Sequence, residues 1–256
     1  MIAGSPKLRL IQKIGSGVNT IDLAAAKSRN VAVCNLPGTN APAVAEMTLL
    51  LMLAALRRLP LLDRTTRDGS GWSPDPALQD CFGELGGRTV GLIGYGAVPR
   101  VLAPILRAFG CRILYTARAP KPDAAGDWRT LPALLAESDV ISLHVPLTAA
   151  TAGLIDAAAL ARMKPGAVLV NTARGGLVDQ VALTAALASF RLAAAGLDVF
   201  ATEPADVAEP LFALPNVVVA PHVAWLTAGT FARSFALAAE NCQRLRDGWP
   251  LLHRVQ

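Results

Sequence analysis

Aromatic side chains are scarce in this 256-residue chain, at 5% of the total, and charged ones make up only 17%. With 53% hydrophobic residues, that balance excludes an intrinsically disordered chain, which needs the reverse. Metal-binding spacing is missing as well. The four cysteines, Cys34, Cys81, Cys111 and Cys242, form no C-x-x-C pair and have no histidine cluster nearby, so neither a zinc site nor a disulfide framework is expected. Read as reduced thiols, they predict a cytoplasmic protein. Long apolar runs are lacking too. The longest, Leu49 to Leu56, is bounded by Glu46 and Arg57-Arg58 and falls well short of the ~20 residues that span a bilayer. The opening Met1 to Lys7 has no signal-peptide core, so no membrane partner is predicted. The net charge of +5 comes from scattered residues such as Arg64, Arg88 and Arg112, with no basic run interleaved with aromatics, and nucleic acid is not an expected partner.

What is present is an alternation of short apolar runs and helical patterns. Runs at 89–93, 112–116, 139–143, 167–171, 193–199 and 216–220 read as strands, with helices through Phe109 and at 131–137, 156–163 and 179–189 between them. Strands apolar on both faces and separated by helices predict a parallel sheet covered on each side, an α/β doubly wound fold of Rossmann type. Residues 43–59 read as one long helix, apolar nearly all round, which predicts burial on most sides and a subunit interface. The stretch Asp68 to Pro76 reads as a loop. Two further strands, Leu8 to Ile14 and Val31 to Cys34, suggest a second, smaller domain. The division expected is 40–224 for a dinucleotide-binding domain and 1–39 plus 225–256 for a partial substrate-binding domain.

The turn Gly94-Tyr95-Gly96-Ala97-Val98-Pro99 follows a strand and opens a helix, the context that a dinucleotide fingerprint requires. Gly94 permits the tight turn, Gly96 lets a pyrophosphate approach the backbone, and the amides of Ala97 and Val98 sit at the positive end of the helix. Pro99 replaces the third glycine, which a first helical turn tolerates at the cost of one phosphate donor. An NAD site places a carboxylate at the end of the next strand. Here that strand ends Thr116-Ala117-Arg118, without one, so Thr116 and Arg118 predict a 2′-phosphate: NADP(H) preferred, NAD(H) as second candidate. Of the three histidines, His144 and His222 each follow a strand, where doubly wound folds bind ligands, and His253 lies in the terminal tail.

Three blocks carry a resemblance. Asn171 to Asp179, Gly196 to Pro204, and Pro221-His222 with Ala224-Trp225 resemble, in order, the arginine, glutamate and histidine blocks of the D-isomer-specific 2-hydroxyacid dehydrogenases, closest to the hydroxypyruvate and glyoxylate reductases among them. The resemblance implies hydride transfer from NADPH to a small 2-keto acid, with Arg174, Glu203 and His222 as the catalytic set. His222 would be the proton donor, Glu203 its orienting partner, and Arg174 the fork that holds the substrate carboxylate. The amides of Ser16 and Gly17 would hold the same carboxylate. Asp198 would orient the nicotinamide carboxamide, and His144, Pro146 and Thr172 would line the cofactor pocket. A homodimer is implied. The family's substrate domain, flavodoxin-like, normally has several elements ahead of the Leu8 to Ile14 strand, so this lobe is expected to be shortened. That expectation sustains an alternative, a dinucleotide-binding module with weak or no turnover. Retention of Arg174, Glu203 and His222 together speaks for the enzyme.

Overall fold

The computed structural model describes residues 2, 4–18, 20–72 and 81–256. In chain order its elements are β1 (Leu10–Gln12), α1 (Leu23–Ser28), β2 (Ala32–Cys34), α2 (Ala41–Leu56) and α3 (Leu59–Asp68). Then come β3 (Thr89–Ile93), α4 (Ala97–Ala108), β4 (Arg112–Thr116), β5 (Asp127–Trp128), α5 (Leu131–Glu137) and β6 (Val140–Leu143). The chain closes with α6 (Ala157–Arg162), β7 (Ala167–Asn171), α7 (Gln180–Ala188), β8 (Leu192–Leu197), β9 (Val217–Val219) and α8 (Ala228–Asp247). Two compact units result, Met1–Ala43 with Trp225–Gln256, and Val44–Ala224.

The larger unit is a seven-stranded, all-parallel sheet in the order β5-β4-β3-β6-β7-β8-β9. Winding reverses between β3 and β6, which is where such sheets open a crevice at their carboxyl ends. Alternation along the strands feeds two cores. Ile93, Ile141, Leu143 and Leu169 face Leu134, Leu160, Leu183 and Leu187 of α5, α6 and α7. Val90, Leu92, Val168 and Val170 face Leu51, Met52, Leu102 and Leu106 of α2 and α4. Every one of these side chains is buried, each contributing roughly 1.5–3 kcal/mol on removal from water. The all-round apolarity of α2 is therefore largely accounted for by its own chain, although Leu50 stays 52% exposed.

The predicted helix over 43–59 is two helices. The chain breaks at Arg58, which adopts a left-handed φ of 51°, and α3 starts at Leu59 with Pro60 in its first turn. Proline lacks the N–H a continuing helix would need and its ring strikes the preceding turn, so it can begin a helix there but not prolong one. The predicted loop over 68–76 also needs revision. Asp68 ends α3 and Ser70–Trp72 form a single 3-10 turn, while Ser73 to Pro76 lie outside the described residues.

The smaller unit pairs β1 with β2 in parallel, so the predicted 8–14 strand is reduced to its central three residues. Ala26 of α1, Val31 and Val33 form its small core. The face that α8 buries is polar: Thr230, Ser234 and Asn241. The Asn241 carboxamide donates to Gln12 Oε1 at 2.7 Å and to the Leu252 carbonyl at 3.1 Å, and accepts the Leu252 amide at 2.8 Å.

Candidate active site

Register fixes where the candidate residues fall. Cα partners across the sheet run Thr116–Ile93–Leu143–Asn171–Leu197–Val219, a single row at the carboxyl ends of six strands. Gly94, His144, Thr172, Asp198 and His222 all follow within three residues of that row, as do Arg118 and Arg174. Residues as far apart as Gly94 and His222, 128 positions, are thereby brought to one edge of one sheet.

At the β3 end the turn is built for an anion. Gly94 has φ +98°, and a Cβ there would lie 2.6 Å from the His144 carbonyl oxygen, so only glycine fits. Its amide donates to Thr116 O at 2.9 Å. Gly96, the N-cap of α4, has no protein atom within 4 Å of where its Cβ would stand. No side chain caps this helix start, so its first-turn amides, which lack intrahelical partners, point into open space beside an exposed glycine. That arrangement fits a dinucleotide pyrophosphate. Pro99 is buried inside the first turn of α4. His144 bonds Ser142 Oγ at 3.0 Å, and burial pushes its imidazole down to about 3, so it is a neutral ring. Pro146 and Arg118 are exposed. Thr172 is buried, its hydroxyl 2.8 Å from that of Thr48, which in turn donates to Val44 O at 2.7 Å.

The β7, β8 and β9 ends carry the other group. Glu203 Oε2 lies 2.6 Å from His222 Nδ1, and Phe200 N donates to Glu203 Oε1 at 3.0 Å. Burial alone would raise the Glu203 carboxyl. The His222 ring, the Phe200 amide and the nearby Arg174 charge outweigh it and hold the group below its ordinary range. Arg174 Nη1 donates to Ala173 O at 2.6 Å. Glu203 and His222 are thus in direct contact, and Arg174 is close enough to Glu203 to act on its charge.

His222 sits at φ +57°, a conformation that costs a non-glycine residue roughly 1–2 kcal/mol. Asp198 offsets that cost. Its carbonyl accepts the His222 amide at 2.7 Å, and its carboxylate oxygens accept the amides of Val223 and Ala224 at 2.9 Å each. Three successive amides end on one residue that is 0% exposed. Burial is the main influence on the Asp198 carboxyl and raises it, against the two amides and the His222 charge. In this structure, then, what Asp198 orients is the backbone that presents His222.

Three positions escaped sequence reasoning. Asn171, almost fully buried, clamps the arginine turn by accepting from Ala173 N at 3.0 Å and donating to Arg174 O at 2.9 Å. Gln180 Oε1 accepts Ala201 N at 2.9 Å. Gly175 is forced by space, since a Cβ would stand 1.9 Å from the Phe200 carbonyl, so the arginine turn and the glutamate loop share a wall. Only the adjacency of Asn171 to Arg174 was visible in the sequence. In the smaller unit, Ser16 O accepts Asn35 Nδ2 at 2.8 Å and Gly15 O accepts Leu36 N at 2.9 Å, which holds the Ser16–Gly17 loop.

A doubly wound sheet with an open glycine turn and a carboxylate-oriented histidine on the same edge defines a dinucleotide-binding fold with an acid–base pair beside it. Residues 49–224 match the family described as D-isomer specific 2-hydroxyacid dehydrogenase, NAD binding domain. The chain belongs to that family. The D-3-phosphoglycerate dehydrogenase of Mycobacterium tuberculosis is 40% identical over 94% of this chain but only 46% of its own length, so the chain spans about half of that relative. The glyoxylate reductase of Aeropyrum pernix is 40% identical, with 97% of this chain and 76% of that protein covered. Among solved structures, the NADPH-dependent glyoxylate/hydroxypyruvate reductase of Sinorhizobium meliloti matches with a TM-score of 0.88 and 34% identity, covering 98% of this chain and 79% of that one. Among the described residues, no helix is long and apolar enough to cross a membrane, and none of the four cysteines is in a disulfide.

Proposed function

We propose that this protein reduces small 2-keto acids, hydroxypyruvate and glyoxylate being the first candidates, with NADP(H) preferred to NAD(H). The 2.6 Å contact between Glu203 and His222, on the same sheet edge as the open turn at Gly96, carries the proposal. A bound nicotinamide would supply the hydride. His222 gives a proton to the carbonyl oxygen, which becomes the hydroxyl of the product. Glu203 accepts the hydrogen bond from the ring's Nδ1–H, fixing the tautomer and stabilising the charged imidazolium. Arg174 binds the substrate carboxylate. The Gly94–Gly96 turn with the Ala97 and Val98 amides holds the pyrophosphate. Thr116 and Arg118 meet the ribose, where the absence of a carboxylate favours a 2′-phosphate, and His144, Pro146, Thr172 and Asp198 border the nicotinamide side. A module that only bound nucleotide would have no use for the Glu203–His222 contact. Leu50 of α2 and Leu59 of α3, about half exposed, offer an apolar surface for a homodimer, and cysteines outside any disulfide suit the cytoplasm.

The test is to mix the protein with NADPH and either keto acid and to follow the absorbance of the reduced nicotinamide. Turnover is expected, and His222→Asn should abolish it while leaving NADPH binding intact. Binding without oxidation across a panel of 2-keto acids would leave only the binding module.

A further inference from the structure

The stretch after β4, residues 117–126, is the part of the fold that decides between nucleotides with and without a 2′-phosphate. It is tied down from beneath. Tyr95, the middle residue of the glycine turn, and Tyr115 of β4 are both buried, with ring centroids 4.6 Å apart. Tyr115 Oη accepts Lys121 N at 2.6 Å and donates to Lys121 O at 3.3 Å, and Tyr95 Oη accepts Ala125 N at 2.7 Å. The loop contains one carboxylate, Asp123. Arg100, on the first turn of α4, takes both of its oxygens, through Nη1 to Oδ2 and through Nη2 to Oδ1 at 3.1 Å, with its own guanidinium 5.7 Å from the Tyr95 ring centroid.

We propose that Arg100 and Asp123 together set nucleotide choice, Arg100 withholding the loop's single carboxylate from the ribose so that Arg118 can meet a 2′-phosphate unopposed. The inference rests on the cofactor site proposed above. The two tyrosines make it a matter of position and not of loop drift, because they hold the main chain on either side of Asp123. Without Arg100, the carboxylate would be free to accept from a ribose 2′-hydroxyl and to repel a 2′-phosphate. The selectivity would then move towards NADH.

The experiment measures dissociation constants of NADPH and NADH by nicotinamide fluorescence, on the full chain, for the wild type, Arg100→Ala, Asp123→Asn and the double variant. Arg100→Ala should lower the preference for NADPH on the order of fivefold, the effect of one exposed charge near a phosphate, and the change should shrink in high salt. Asp123→Asn alone should leave the preference in place, and adding it to Arg100→Ala should restore the wild-type ratio. Both nucleotides binding with a ratio untouched by Arg100→Ala would overturn the inference and spare the cofactor site. Failure of the wild type to bind either nucleotide would overturn the site, and this inference with it.

Discussion

The two ends of the sheet's carboxyl edge are built in opposite ways. At the end of β3 the start of α4 carries no side-chain cap and the space above Gly96 is clear. Around β7, β8 and β9 nearly every loop group is committed inside the protein: Asn171 to the arginine turn, Gln180 and Phe200 to the glutamate loop, Asp198 to three amides in a row. A surface that receives a large polar ligand keeps its hydrogen bonds in reserve, whereas side chains that must meet a reacting atom are held in place beforehand. The contrast separates binding from chemistry within one edge of one sheet.

Glycine substitutions should break the comparison most sharply. Gly175→Ala forces a Cβ into the Phe200 carbonyl and should cost about 3 kcal/mol or more of stability, read as a lowered urea midpoint, with loss of turnover. Asp198→Asn comes next. One amide loses its acceptor, so stability should fall by about 2 kcal/mol and turnover by roughly tenfold, while NADPH affinity changes little. A large loss of affinity with turnover preserved would instead place Asp198 against the nicotinamide. Gly96→Ala, with nothing nearby to strike, should leave the melting temperature alone and weaken NADPH binding about tenfold, because the methyl fills the anion's approach. The smallest effect is on acid stability. The folded His144 ring titrates at about 3 against an ordinary 6.5, so below pH 6.5 the unfolded chain binds the additional proton. Its contribution is complete above that pH and drains away as pH falls towards 3. Urea midpoints measured across this window should decline less steeply in His144→Gln than in the wild type.

Legibility followed the same physics. Strands β3, β4, β6, β7 and β8 could be read because they are largely buried, so composition alone announces them, whereas the exposed two-residue β5 was not read. The twenty-residue α8 went unread because its inward face is Thr230, Ser234 and Asn241, which leaves no apolar stripe at helical spacing. The helix over 43–59 was overrun because Arg57 and Arg58 are good helix formers and only Pro60 marks the break. In the site, Gly94, Arg174, Glu203 and His222 announced themselves by motif. The crowding of Gly175 against Phe200 depends on two loops meeting across the sheet edge, and nothing local in either stretch encodes it. The hold of Asp198 on residues 222–224 likewise needs the register of β8 against β9.

The carboxamide of Asn241 joins Gln12 near one terminus to Leu252 near the other. Where an oily interior would loosen by degrees, a knot of three directional bonds lets go all at once. Warming should therefore release the head and the tail of the chain in the same step, and the amide of Leu252 should exchange its hydrogen on the schedule of β1 and not on that of a fraying end.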